Sequence, residues 1–178
     1  MCQSVSYVGY IAMSLDGFIA DENGSVDWLN PFNEKLAADG GDGGYGDFIS
    51  GIDALIMGRS TYEQVLGWGW PYEDRAGYVL TRQSEYQGNH VAAAGNIDAL
   101  RNAIEQAGHQ CVWVMGGGEA QRAALDAGMF DRLRIFIMPT LLGRGLPCFA
   151  PGDQRYLDLT EVSHHPGGIL QIDYSIKH

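Results

Sequence analysis

The sequence predicts a layered α/β domain, with a mainly parallel sheet between helices and an antiparallel pair of strands at its C-terminal edge. Two apolar runs, Ile52 to Met57 and Cys111 to Met115, each pass through glycine into a helical pattern. Elements alternate along the chain as β-α-β-α-β-β-α-β-α-β-β-β, the pattern that crossover helices between parallel strands produce. Near the end, Tyr156 to Ser163 and Ile169 to Ile176 alternate on either side of Pro166-Gly167-Gly168, a hairpin signal.

A chain of 178 residues suits one core. No linker, repeat or low-complexity stretch divides it, so residues 1–178 read as a single domain. Hydrophobic residues at 46% and charged residues at 19% are the balance of a globular chain. A net charge of -11 argues against nucleic acid as a partner, because phosphate backbones are held by clustered cations. Cys2, Cys111 and Cys148 lack metal-type spacing and read as reduced thiols, which gives a cytoplasmic location as the default. No basic leader precedes an apolar run, and no stretch is long enough for a membrane span, so neither secretion nor insertion is expected.

Val5 to Ser14 is apolar on both faces and predicts a central strand, which runs into the turn pair Asp16-Gly17. Asp21, Asn23 and Gly24 match the opening of a calcium loop, but the remaining ligand positions do not follow, and no metal is expected. Phe32 to Ala38 predicts a short helix. Gly41, Gly43 and Gly46 spell G-x-G-x-x-G, yet a polar helical stretch precedes them instead of a strand, so they predict a loop beside a site and not a dinucleotide fingerprint. Asp47 to Ser50 predicts a helical turn closed by Gly51.

After the second strand, Ser60 and Glu63 have capping-box spacing and predict a helix start. Gly77 to Thr81 and His90 to Ala93 predict two more strands. Asn96 caps a helix whose buried stripe is Leu100, Ala103, Ile104 and Ala107, and Gly108 ends it. Past Gly116-Gly117-Gly118, Ala120, Ala123, Ala124 and Ala127 recur at helical spacing up to Gly128. Asp131 to Met138 is β-rich and stops at Pro139. His164 and His165 are adjacent and read as part of a turn.

The two strand-to-helix junctions carry the candidate chemistry. Glycine lets the backbone approach an anion, and a helix start adds unpaired N–H groups and the positive end of its dipole. Gly58-Arg59-Ser60-Thr61 adds a guanidinium suited to phosphate oxygens. The bland alternative is a tight turn at one junction and a well-capped helix at the other. Both stay open on these residues alone.

Four motifs taken together resemble the dihydrofolate reductase-like superfamily: Ala12 to Ala20, Gly58 to Glu63, Gly116 to Gly118 and Pro139 to Gly145. Within it the chain is most similar to single-domain relatives of the riboflavin-biosynthesis reductase (RibD C-terminal) domain. The resemblance covers nearly the whole chain and implies a central sheet of about eight strands, NADPH as hydride donor and a homodimer. It also implies that Ala12 and Ile19 offer backbone groups to the nicotinamide carboxamide, with Trp28 beside the cofactor. Arg59, Ser60 and Thr61 would then hold phosphates, Thr81 and Arg82 would flank the adenosine end, and Gly116, Gly117, Gly118, Glu119, Ala120 and Gln121 would cradle the pyrophosphate. The chain departs from the riboflavin-pathway pattern at Tyr10, where relatives carry lysine, and at Trp68 to Tyr72, where they carry an arginine-containing substrate segment.

The function expected is an NADPH-dependent reductase acting on a small heterocycle of pterin or pyrimidine type; the alternative is a non-catalytic NADP(H)-binding module of the same fold. Asp16, Asp42 and Asp47 are the candidate proton-handling carboxylates, and Ser14, Trp68, Trp70 and Tyr72 the candidate substrate contacts. Arg59 and Arg82 favour NADPH over NADH, since no acidic residue follows either junction in the manner of an NAD site, while Glu119 opposes a phosphate there. A homodimer is expected from the apolar alternation of Leu133, Ile135 and Ile137 and the apolar loop Leu141 to Phe149.

Overall fold

The computed structural model describes residues 4–83 and 85–177. The first half of the chain forms β1 (Ser6–Ser14), β2 (Phe18–Ala20), α1 (Asn30–Ala38), α2 (Tyr45–Ser50), β3 (Ala54–Gly58), α3 (Arg59–Gly67) and β4 (Ala76–Leu80). The second half forms β5 (Val91–Ala94), α4 (Ile97–Ala107), β6 (Cys111–Gly116), α5 (Gly118–Asp126), β7 (Phe130–Met138), β8 (Leu146–Pro147), β9 (Asp158–His165) and β10 (Ile169–Ser175). Eight strands make one sheet in the order β5-β4-β3-β6-β1-β7-β10-β9. It is parallel from β5 to β7 and antiparallel at β10 and β9. The fold is α/β and dihydrofolate reductase-like, with the mainly parallel sheet and antiparallel C-terminal edge expected. β2 and β8 form a separate two-stranded ribbon.

Ala54 to Met57 of β3 are wholly shielded from solvent, which requires helices on both faces. On one face, Leu100 and Ile104 of α4 and Ala124 and Leu125 of α5 pack on Ile56, Val112 and Val114. On the other, Tyr62 and Val65 of α3 pack on Leu55, Met57, Val79 and Trp113. Farther along that second face, Phe32 of α1 meets Phe136, Met138 and Ile169. Two carboxylates tie strand starts together by accepting backbone N–H groups: Asp53 from Gln110 and Cys111 at 2.8 and 3.1 Å, and Asp131 from Tyr7 at 2.8 Å.

Three local expectations need correction. α3 begins at Arg59, with Gly58 as its extended N-cap and no side-chain cap, so Ser60 lies inside the first turn and Glu63 pairs instead with Arg59 at 3.2 Å. β7 is an interior strand between β1 and β10, and Leu133 and Ile135 are buried in the core, so their apolar alternation says nothing about a free edge. His164 and His165 close β9 instead of making the turn, which is Pro166–Gly168. Cys2 lies outside the described residues, and Cys111 and Cys148 are free thiols. Among the described residues no helix is long and apolar enough to cross a membrane.

Asn96 does cap α4, accepting the Ala99 N–H at 2.8 Å, and Gly108 closes the helix in the left-handed region. Asn96→Ala is therefore expected to lower stability by about 1 kcal/mol in urea unfolding, with the slope unchanged, since the cap is exposed and its bond is local to the first turn of α4.

Candidate functional site

β3 and β6 are parallel neighbours, with Met57 opposite Gly116. The helix after β3 leads outward to β4, whereas the helix after β6 carries the chain past β1 to β7. The two crossovers leave in opposite directions and on opposite faces, which opens a crevice at the carboxyl ends of the strands. Into it point the first N–H groups of α3 and α5, which have no intrahelical partner, and the positive ends of both helix dipoles.

Glycine is needed here on steric grounds. Gly116 has φ 132°, closed to residues with a side chain, and the Gly116–Gly117 peptide is cis. A Cβ on Gly118 would lie 2.5 Å from the Pro147 carbonyl oxygen, because the end of β8 and the residues after it pack directly on the start of α5. At Gly117 the same position lies 3.6 Å from Thr61 Oγ1 and 3.8 Å from Ile19 Cδ1. The structure thus brings Thr61, Gly117 and Ile19 together from three separate motifs. Such an arrangement of bare backbone, a hydroxyl and two helix starts fits a phosphorylated dinucleotide.

A second feature lies on the α1 face of the sheet, a cavity of about 380 Å³. Its floor is Tyr10 and Ala12 of β1 with Phe136 and Met138 of β7, and its walls are α1, the Gly41 to Tyr45 segment, His165 and Ile169. Trp113 Nε1 donates to the Tyr10 carbonyl oxygen at 3.2 Å, so that oxygen points toward β6. By strand parity the N–H and C=O of Ala12 point the same way, beyond the last β1–β6 pair at Gly9 and Val114.

Asp42 organises the wall. Its two oxygens accept the N–H groups of Gly44 at 2.8 Å and Gly46 at 2.7 Å, and these bonds hold its carboxyl below the usual range. The Tyr10 hydroxyl donates to Gly43 O at 3.4 Å, and burial pushes its ionisation upward. His165 Nε2 lies 2.8 Å from Gln171 Oε1.

The remaining predicted residues fall into three groups. Ser14 and Asp16 form a clasp: Ser14 is buried and donates to Asp16 at 2.6 Å, and Asp16 also accepts the N–H groups of Leu142 and Gly143. Neither lines the cavity, and Asp47, exposed in the first turn of α2, does not either. Of the three carboxylates only Asp42 borders it. Of the aromatic stretch, Trp68 is 65% exposed, while Trp70 packs on Tyr72, whose hydroxyl sits 3.5 Å from that of Tyr45. Tyr72 thus stands behind the wall and the tryptophans are outside the lining. Around the crevice, Trp28 Nε1 donates to Ile19 O at 3.3 Å, Ala120 and Gln121 turn their side chains into the core, and Thr81 is buried. Arg82 and Glu119 are exposed and face each other at 3.8 Å. His165, Asn33, Tyr45 and Phe136 line the cavity without having been singled out from the sequence. For His165 the missing signal was strand parity, which puts it on the face of Ser163 and opposite Ile169.

The RibD C-terminal domain family matches residues 8–170. The chain belongs to that family. Among curated proteins it is 39% identical over 144 residues to the uncharacterized protein YwjB of Bacillus subtilis (strain 168), covering 79% of this chain and 80% of that one. It is 27% identical to a Pneumocystis carinii dihydrofolate reductase over 57% of this chain and 52% of that protein. Among solved structures, a putative riboflavin biosynthesis protein from Shewanella sp. PV-4 superposes with TM-score 0.85 at 25% identity, covering 98% and 100% of the two chains. The Thermotoga maritima diaminohydroxyphosphoribosylaminopyrimidine deaminase/5-amino-6-(5-phosphoribosylamino)uracil reductase shares the fold, with TM-score 0.66 at 15% identity over 97% of this chain and 57% of that one.

In this RibD-family chain the Asp42 bonds predict a pH effect. A carboxyl whose folded pKa is depressed contributes stability above its unfolded value and loses it as pH falls through the folded one. Hydrogen exchange at the Gly44 and Gly46 amides is therefore expected to speed up, beyond its intrinsic pH dependence, only below the ordinary carboxylate range. In Asp42→Ala it should be fast at every pH.

Proposed function

We propose that the chain is an NADPH-dependent reductase that delivers hydride to a small heterocyclic substrate in the cavity beside Tyr10 and Ala12. The observation that supports this most is the meeting of Thr61, Gly117 and Ile19 at a crevice flanked by two helix starts. Family membership supports a reductase of the riboflavin-pathway type; the cofactor and the substrate class are the proposal.

When bound, the reduced nicotinamide supplies the hydride, and the protein supplies position and electrostatics. Arg59, Ser60 and Thr61 at the start of α3 and Gly116 to Gly118 at the start of α5 hold the phosphates. The outward N–H and C=O of Ala12 hold the carboxamide end, on the strand shared by crevice and cavity. Leu36, Phe136, Met138 and Ile169 keep water from the reacting ring. With its carboxyl held ionised by the Gly44 and Gly46 amides, Asp42 orients a substrate N–H or a water and does not give up a proton of its own.

A homodimer belongs to the same proposal. Edge strand β9 exposes Leu159 and Val162, and a monomer mass by light scattering at micromolar concentration would remove it.

The cofactor reading is tested by titrating NADPH and NADH against the parent and three variants, with binding followed by nicotinamide fluorescence. A charge-assisted contact to the 2′-phosphate predicts a preference for NADPH of about tenfold to hundredfold. Arg59→Ala and Arg82→Ala should narrow it, and Glu119→Gln, which removes the carboxylate facing Arg82, should widen it. Equal affinities in the parent would contradict the assignment. Tight NADPH binding without turnover on pterins, lumazines and pyrimidines would favour a non-catalytic module.

A further inference from the structure

We infer that the cavity is built for a planar ring without an anionic substituent, anchored by His165, and that it rejects phosphorylated substrates. The inference rests on the reading of the cavity as the substrate site. It starts from what the lining lacks: among the described residues no lysine or arginine borders the cavity, and the one charged group there is the Asp42 carboxylate. Phosphate and carboxylate substituents are recognised by guanidinium, ammonium or helix-start N–H groups, and a wall bearing a carboxylate repels them. The neighbouring cations are engaged elsewhere. Arg134 forks onto Asp173 at 2.9 and 2.6 Å, and the Lys35 ammonium lies over the Phe32 ring.

The same Arg134–Asp173 pair sets the chemistry of His165. Asp173 also accepts from Gln171 Nε2 at 3.2 Å, which turns the buried Gln171 amide so that its Oε1 faces the imidazole at 2.8 Å. A carbonyl oxygen can only accept, so Nε2 carries the proton of the neutral ring. Nδ1 is left as an acceptor with no protein partner among the described residues, on a ring that forms part of the wall and packs against Phe136. The lining thus includes two residues with acceptor capacity to spare, His165 and Asp42, between aromatic and aliphatic surfaces. That suits a flat heterocycle with ring or exocyclic N–H groups.

The experiment is calorimetric titration of the full chain, with and without NADPH, using lumazine and lumazine-6-carboxylate as a neutral and an anionic form of one ring. Lumazine should bind at least about tenfold more tightly than its carboxylate. His165→Phe, which keeps a flat ring but removes the acceptor together with the Nε2–H that Gln171 accepts, should weaken lumazine binding by about tenfold. Asn33→Arg places a cation on the exposed α1 side of the lining, where folding is not at stake, and should reverse the order of the pair. Equal or tighter binding of the carboxylate by the parent overturns the inference, and so does the absence of saturation by lumazine at about 1 mM. An Asn33→Arg variant that keeps the parent's order overturns it as well. NADPH affinity is read separately: its loss with the lumazine preference intact removes the reductase reading alone, whereas NADPH binding beside a preference for the carboxylate removes this inference alone.

Discussion

β3 and β6 run side by side and parallel, yet the helices that follow them leave in opposite directions along the sheet. That divergence is a consequence of strand order, and it brings the ends of two strands and the starts of two helices together at one crevice. The residues there are Gly58, Gly116, Gly117 and Gly118, and at Gly118 the carbonyl of Pro147 leaves no room for a Cβ at all. The crevice therefore depends on topology for its place and on glycine for the close approach of backbone at its rim.

The acidity of the chain, at a net charge of -11, has an inward use. Asp16, Asp42, Asp53 and Asp131 each accept backbone N–H groups from a turn, a loop or a strand start. An ionised carboxylate is an acceptor only, and its bonds to N–H are stronger than neutral ones, so it fixes irregular backbone that no ladder satisfies. Asp16 ties the turn after β1 to the segment after β7, and in doing so sets where the β2–β8 ribbon lies.

The strands, their order of appearance and the junctions were legible because buried parallel strands are continuous apolar runs and glycine marks where they turn. Asn96 and Gly108 were legible for the same local reason. What the sequence hid depended on contacts between distant segments. Ser60 has capping spacing, but the chain enters α3 one residue earlier, and Glu63 is drawn to Arg59. Ser14 and Asp16 sit in a motif that looks like a site and are consumed by a clasp to residues more than a hundred positions away. Asp42 and Asp47 were indistinguishable until the fold of the loop set Asp42 in the cavity lining and Asp47 on the exposed first turn of α2. His165 was hidden by its neighbour: two adjacent histidines look like a turn, and only the pairing with β10 shows which of them faces inward.

Crevice and cavity share β1 and otherwise draw on different parts of the chain. The crevice comes from the ends of β3 and β6, while the cavity wall comes from α1, the glycine-rich segment after it and the β9–β10 hairpin at the far edge of the sheet. Insertions and substitutions in that segment or that hairpin alter what the cavity accepts without moving the strands that frame the crevice. A lineage built on this fold can thus exchange one cavity lining for another while the crevice stays under unchanged selection, and relatives are expected to diverge fastest along α1 and the last hairpin.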